Sequence, residues 1–434
     1  MSEPILVYVD LNAQPHLVGQ LWAHASSTPQ SASFQYATEW CESPLAFALE
    51  PALKIGQGAY HTDNGKALFG AIGDSAPDRW GRTLMNREAQ RQAKEKKMTP
   101  RTLCEIDFLL MVNDEARIGA LRFKKTLDEP FLTAPAQGVP PVITLRRLLD
   151  AAKMIEKREP TDQDLKDIFS PGSSLGGARP KACVRGTDGK LYVAKFPSVK
   201  DDWDVPLWEY VALCLARKSG ILAPNAMLET VGQKNVLLTE RFDRAANDIR
   251  IPYLSAMSML SYKDGDHGSY LEIADSLSSY GEQPTADKKE LWKRIVLNIM
   301  ISNYDDHLRN HGFLYVGSSG WRLSPVFDLE PTPAGKQSRY LHTYIGLEEG
   351  EASLDAALSV SNEFGLSLAE ARSTAQEVGQ AVQKWRYFAQ QSNANAKEIE
   401  MLSTAFEHED LKASLKPVVV HAPAAAKPGR RHKP

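Results

Sequence analysis

The sequence predicts an α+β chain in two lobes, one β-rich and ending near residue 242 and one mostly helical beyond it, with a small α+β module in front. Three observations predict this. KACVR and KLYVAKF flank a GTDG turn and are followed by the amphipathic PLWEYVALCLARKSGI and the apolar NVLLTE, which together read as a sheet with one helix. Helical periodicity dominates 255–415, as in EIADSLSSYG and LAEARSTAQEVGQAVQKWRYFA. The Pro-rich run EPFLTAPAQGVPP separates both lobes from a region that mixes β-like runs such as ILVYVDL with helical ones. The boundaries read as 1–140 for the amino-terminal module, 141–242 and 243–416 for the lobes, and 417–434 for a mobile, basic, Ala/Pro-rich tail.

Taken in order, the chemistry begins at SPGSSLGGARPK (170–181), where Gly172, Gly176 and Gly177 precede Lys181. Glycine permits positive φ and lets backbone N–H groups approach phosphate oxygens. A P-loop is excluded, because no Lys followed by Ser or Thr stands at the required offset; a flexible turn is the plain alternative. Next, Lys195 ends a strand in VAKF, close to the VAIK pattern in which a strand lysine pairs with phosphates. Glu209 on the following helix is placed to pair with that lysine, as a helix glutamate does in kinases. The strand Val236–Leu238 then runs into Glu240, Arg241 and Phe242, where a hinge would pass an adenine edge.

A buried helix over 288–301, with Leu291, Trp292, Ile295, Val296, Ile299 and Met300 at helical spacing, delivers the polar loop NYDDHLRN. Asp305 and Asn310 are five positions apart, the offset of a kinase catalytic loop, and Asp328 follows a predicted hairpin of GFLYV and WRLSPVF. Asp305 is the candidate general base; Asn310 and Asp328 offer hard oxygen donors to magnesium. Alternatively these residues are turn formers, with Asp306 and His307 simply solvated.

In this order the segments SSLGGARPK, VAKF, LLTERFDR, MLSYKDGDHGSYLEIAD, NYDDHLRNHGFL and SPVFDLEP, with VYVDLNAQPHLVGQLW and LFGAIGDSAPDRWGR upstream, resemble the HipA-like serine/threonine kinases, toxins of bacterial toxin–antitoxin modules. The resemblance covers most of residues 5–415 and implies a two-lobed protein-kinase-like fold using ATP and Mg2+. It implies a nucleotide loop at Ser174, Leu175, Gly176, Gly177, Ala178 and Lys181, a phosphate lysine at Lys195, and a hinge at Glu240 to Phe242. Asp305 matches the catalytic aspartate, Asn310 and Asp328 match the metal ligands, and His307 falls on a family position beside them. Ser174 matches the serine that autophosphorylates and ejects the loop, with Ser173 as the neighbouring choice. Arg179 and Pro180 depart from the best-known pattern, which has Gln and Glu there. The implied partners are a protein substrate such as an aminoacyl-tRNA synthetase and a helix-turn-helix antitoxin, with DNA reached only through the antitoxin. A catalytically silent corepressor scaffold is the alternative, and a lipid or small-molecule kinase a third.

Composition narrows the field. With 51 basic and 54 acidic residues the net charge is −3, which lacks the basic footprint of an autonomous DNA binder. Cys41, Cys104, Cys183 and Cys214 have no C-x-x-C spacing, so neither a zinc site nor a disulfide scaffold is expected, and a reducing cytoplasm fits. No export signal or spanning apolar run is evident. In YKDGDHGSY, Asp264, Asp266 and His267 superficially suggest a metal cluster, but the glycine spacing favours a structured loop. Trp80 and Arg82 read as packing and local pairing, and the basic stretch around them as a solvated helix face.

Overall fold

Alternating and continuous apolar runs in the first quarter of the chain build a sheet. The computed structural model describes residues 3–417 apart from 26–27, 64, 134–138, 173–176, 318–319 and 348–349. Its first sheet is antiparallel, in the order β4-β3-β2-β1-β5: β1 (Ile5–Leu11), β2 (Gln14–His24), β3 (Ser31–Tyr36), β4 (Ala59–His61) and β5 (Leu121–Lys124). β1 lies between β2 and β5, and its unbroken run from Ile5 to Asp10 is buried. Helix α1 (Arg79–Glu95) follows β4; Asp78 caps it by accepting the Gly81 N–H at 2.9 Å.

The second sheet orders its strands β6-β7-β9-β8: β6 (Lys181–Arg185), β7 (Leu191–Lys195), β8 (Ala226–Val231) and β9 (Lys234–Glu240). The KACVR and KLYVAKF hairpin forms as expected, with Lys181 directly opposite Lys195. Before it come α2 (Leu145–Lys157) and α3 (Asp162–Gly172), and between β7 and β8 lies α4 (Val205–Lys218), started by the Asp204 cap and Pro206. Trp80 and Leu84 of α1 are buried in one core with Leu148, Ile168, Ala194 and Phe196, so the amino-terminal module and this lobe share packing.

Beyond residue 250 the chain is mostly helical. β10 (Tyr253–Ser255), β11 (Gly312–Tyr315) and β12 (Trp321–Leu323) form a small antiparallel sheet. α5 (Tyr270–Tyr280) opens with a Ser269/Glu272 capping box, and α6 (Pro284–Met300) with proline in its first turn. All six apolar residues expected on the buried face of α6 are fully enclosed. The periodic stretch after 367 forms two helices, α7 (Leu368–Val382) and α8 (Trp385–Gln391), followed by α9 (Ala396–Phe406). Trp385 stacks on Phe406 at 4.7 Å and Trp208 of α4 lies against both at 6.1 Å, which fixes α4 to the helical lobe. Among the described residues no helix is long and apolar enough to cross a membrane. All four cysteines are free.

Candidate active site

Three elements far apart in sequence meet at one ammonium. Lys195, the last residue of β7, sits 2.5 Å from Glu209 Oε1 on α4 and also donates to the Asp328 carboxylate. Burial alone would push the Lys195 amine down. The two carboxylates outweigh that and hold it well above its ordinary value. Burial likewise opposes the Asp328 charge, yet Lys195 and, behind it, Lys181 hold that carboxyl down at about 2. Asp328 adopts φ 55°, a left-handed conformation that few residues besides Gly, Asn and Asp accept.

The glycine loop reaches the same place. Ser173, Ser174, Leu175 and Gly176 lie outside the described residues. Gly177 has φ +96°, a conformation that favours glycine, and lies close enough to Lys181 and Asp328 that a Cβ there would stand 2.7 Å from Lys181 Nζ and 3.7 Å from Asp328 Oδ2. Ala178 is exposed. Arg179, where the sequence departs from the family pattern, pairs with Asp201 and lies 3.7 Å from Glu330; the Pro180 carbonyl accepts the Phe196 N–H at 2.9 Å. The departure thus stitches the loop exit to β7 and to the segment after Asp328.

At the expected hinge, Glu240 accepts from Lys190 at 2.7 Å and Asn225 at 2.8 Å. Phe242 lies 5.4 Å from Phe327, the residue before Asp328, so an aromatic wall borders the lysine cluster. Behind it, buried Arg241 and Arg244 clasp Asp243 and donate to the carbonyls of Arg117 and Gly119, tying the hinge to the amino-terminal module.

Asp305 is exposed, and Asn310 donates from its amide to the Asp305 carbonyl at 3.0 Å. The backbone on either side of Asp305 is held: Tyr304 and Asp306 carbonyls accept from the His342 and Thr343 N–H groups at 3.2 and 3.0 Å. Asp306 corrects the solvated alternative, since it is 3% exposed, accepts from Tyr270 and lies 3.0 Å from His311 Nε2. His307 is half-buried, and among the described residues its Nδ1 is enclosed without a hydrogen-bond partner.

At 264–267 the glycine spacing favours a structured loop over a metal cluster. Asp264 pairs with Arg309 at 2.8 Å, His267 stacks on Tyr344, and no group of three metal-ligating side chains occurs among the described residues. A hard cation held by one carboxylate, one amide oxygen, waters and phosphates needs no such group, and Asp328 and Asn310 have the donor chemistry for it. Two residues carry site geometry that sequence reasoning did not assign. Asp78 Oδ2 lies 3.5 Å from Lys181 Nζ, and the Trp80 indole N–H donates to the Lys181 carbonyl at 3.0 Å. The hairpin length signals the lysine pairing; nothing local to SAPDRWGR signals the contact with Asp78. Arg82 forms the expected local pair, bidentate to Glu105 at 2.5 and 2.6 Å.

Comparison with known proteins places this arrangement. Residues 173–385 match the family described as the HipA-like C-terminal domain. Toxin YjjJ of Escherichia coli is 28% identical over 173 residues, which are 37% of this chain and 38% of that protein. Serine/threonine-protein kinase CtkA of Helicobacter pylori is 24% identical over 172 residues, 37% of this chain and 52% of its own length. The chain therefore spans about half or less of these curated relatives. A chain of the Shewanella oneidensis MR-1 toxin–antitoxin complex of HipA, HipB and operator DNA aligns over 95% of this chain and 96% of its own, with TM-score 0.64 and 15% identity. Over residues 173–385, which hold Lys195, Glu209, Asp305, Asn310 and Asp328, the chain is thus similar to the HipA-like C-terminal domain, within a two-lobed fold it shares with that complex.

Proposed function

We propose that this protein is an ATP- and magnesium-dependent serine/threonine kinase, acting as a growth-inhibiting toxin of a toxin–antitoxin module. The observation that carries the reading is the meeting of Lys195, Glu209 and Asp328, brought together across 133 residues. A lysine held by a helix glutamate beside a low-pKa aspartate is what polyphosphate binding needs, and Gly177 approaches the same atoms.

In this reading Glu209 keeps the Lys195 ammonium aimed at the phosphates, and Gly177 lets the loop backbone close over them. Asp328 and the Asn310 amide oxygen would hold magnesium, which when bound neutralises charge on the polyphosphate. Phe242 and Phe327 offer an apolar flank to the base. Asp305, exposed at the loop surface, accepts the proton of an incoming serine or threonine hydroxyl. Phosphate on Ser174, or on Ser173, would add about −1.5 to −2 charge to the loop and repel the nucleotide, which gives loop ejection a physical cause.

The likeness to a complex containing HipB and operator DNA supports a protein antitoxin partner; the family resemblance makes that partner a helix-turn-helix protein, with DNA contacted through it. The acceptor is a protein, with an aminoacyl-tRNA synthetase the first candidate by family resemblance. Incubating wild type and Asp305→Asn with cell extract, ATP and magnesium, then mapping new phosphoserines and phosphothreonines, tests this. One dominant acceptor seen only with wild type supports the kinase; no transfer, with antitoxin binding retained, moves the assignment to a silent corepressor.

A further inference from the structure

The amino-terminal module enters the lysine cluster. β6 and β7 put Lys181 and Lys195 directly opposite each other, hence on the same face of the sheet, where two ammonium groups repel unless anions stand between them. Lys195 has Glu209 and Asp328. Lys181, only 3% exposed, has Asp78 at 3.5 Å. Asp78 comes from the start of α1, in the amino-terminal module, and that same turn grips the loop twice more. The Trp80 indole donates to the Lys181 carbonyl at 3.0 Å, and the Trp80 N–H points to the Gly177 carbonyl at 3.5 Å. Both ends of the segment from Gly177 to Lys181 are thereby seated on α1.

We infer that Asp78 is a counter-ion that Lys181 gives up when a nucleotide phosphate arrives, so that the amino-terminal module carries part of the nucleotide site and reports its occupancy through α1. The inference rests on the nucleotide reading above and deepens it. An ammonium at 3.5 Å from its carboxylate is loosely paired compared with Lys195, and Lys181 Nζ lies directly under the Gly177 backbone where phosphate oxygens would pass. A phosphate that takes Lys181 must displace Asp78, and the Asp78 charge opposes every phosphate that enters. Asp78 therefore sets nucleotide affinity from outside the matched 173–385 region.

Asp78→Asn separates this role from helix capping, because asparagine caps α1 as well as aspartate does while removing the charge. Asp78→Ser, another good cap, is the second variant should the first fold poorly. Calorimetric titration of the full chain with magnesium and ATP, ADP or adenosine is the measurement, with melting temperature as the control. Removing one opposing charge should tighten ATP and ADP on the order of three- to tenfold and leave adenosine unchanged. Unchanged or weaker ATP binding in a variant that melts like wild type overturns the inference, as does an equal change for adenosine. Wild type that binds adenosine and ATP alike without phosphate preference, or neither, instead removes the nucleotide-phosphate reading on which it stands.

Discussion

Lys195 stabilises the structure as well as preparing it for ligand, because its ammonium holds the Asp328 carboxyl down and counters the burial that pushes the Glu209 carboxyl up. Lys195→Ala leaves two carboxylates facing each other with 3% and 23% of their side chains exposed. Breaking such a pair costs on the order of 3 kcal/mol, so the variant should melt earlier and lose ATP binding together. Thermal melts and ATP titration check this; a variant with wild-type stability would show that the cluster is not a structural ion pair. Asp305 contrasts with it. Its carboxylate lies 3.9 Å from the exposed His342 at the surface, where an acceptor can reach it, while its buried neighbour Asp306 holds the loop through Tyr270 and His311.

At the scale of elements, α6 is the beam from which the catalytic loop projects. Trp292 is fully buried and its indole donates to the Ala357 carbonyl at 2.9 Å. Trp292→Ala should therefore cost about 3–5 kcal/mol, read as a lower denaturation midpoint in urea, by the cavity and the orphaned carbonyl it leaves. A loss below 1 kcal/mol would mean that the helical lobe repacks freely around α6. This helix, the hairpin carrying Lys195 and helix α4 were legible in the sequence because each has an uninterrupted apolar period, although α6 starts at Pro284, ahead of the expected 288. The order of glycine loop, strand lysine and helix glutamate was legible for the same reason. What was not legible is long-range: the Asp78 contact with Lys181 and the burial of Asp306 depend on tertiary packing, and their local sequence reads as ordinary cap and turn. The break at Gln383 and Lys384 between α7 and α8 is likewise invisible in a continuous periodic stretch.

Across the whole molecule, the first sheet and the helical lobe share a continuous core, with Val7 and Phe34 in the same cluster as Ile295 and Phe313. Glu50 marks that junction. Its carboxylate accepts the Ala71 N–H at 2.5 Å, and burial pushes its pKa from 4.5 up to about 7. A carboxyl raised in the folded state binds its proton more tightly there than in the unfolded chain. Stability from this residue is thus intact below about pH 4.5, falls as pH rises, and is lowest above about 7. Glu50→Gln should raise stability at pH 8 by up to about 3 kcal/mol, read as a higher melting temperature, and leave it nearly unchanged at pH 4; an equal shift at both values would contradict the assignment. The proposed kinase chemistry depends on the contact that joins Lys195 to Asp328 and requires Asp305 to face the same cleft. The most direct test is label transfer from γ-labelled ATP in the presence of magnesium, with wild type and Asp305→Asn in parallel and ATP binding measured on both. The account predicts labelled protein serine with wild type and a loss of about 10²–10⁴-fold in Asp305→Asn, with binding retained. Undiminished transfer by Asp305→Asn, or no ATP bound by wild type, would contradict it.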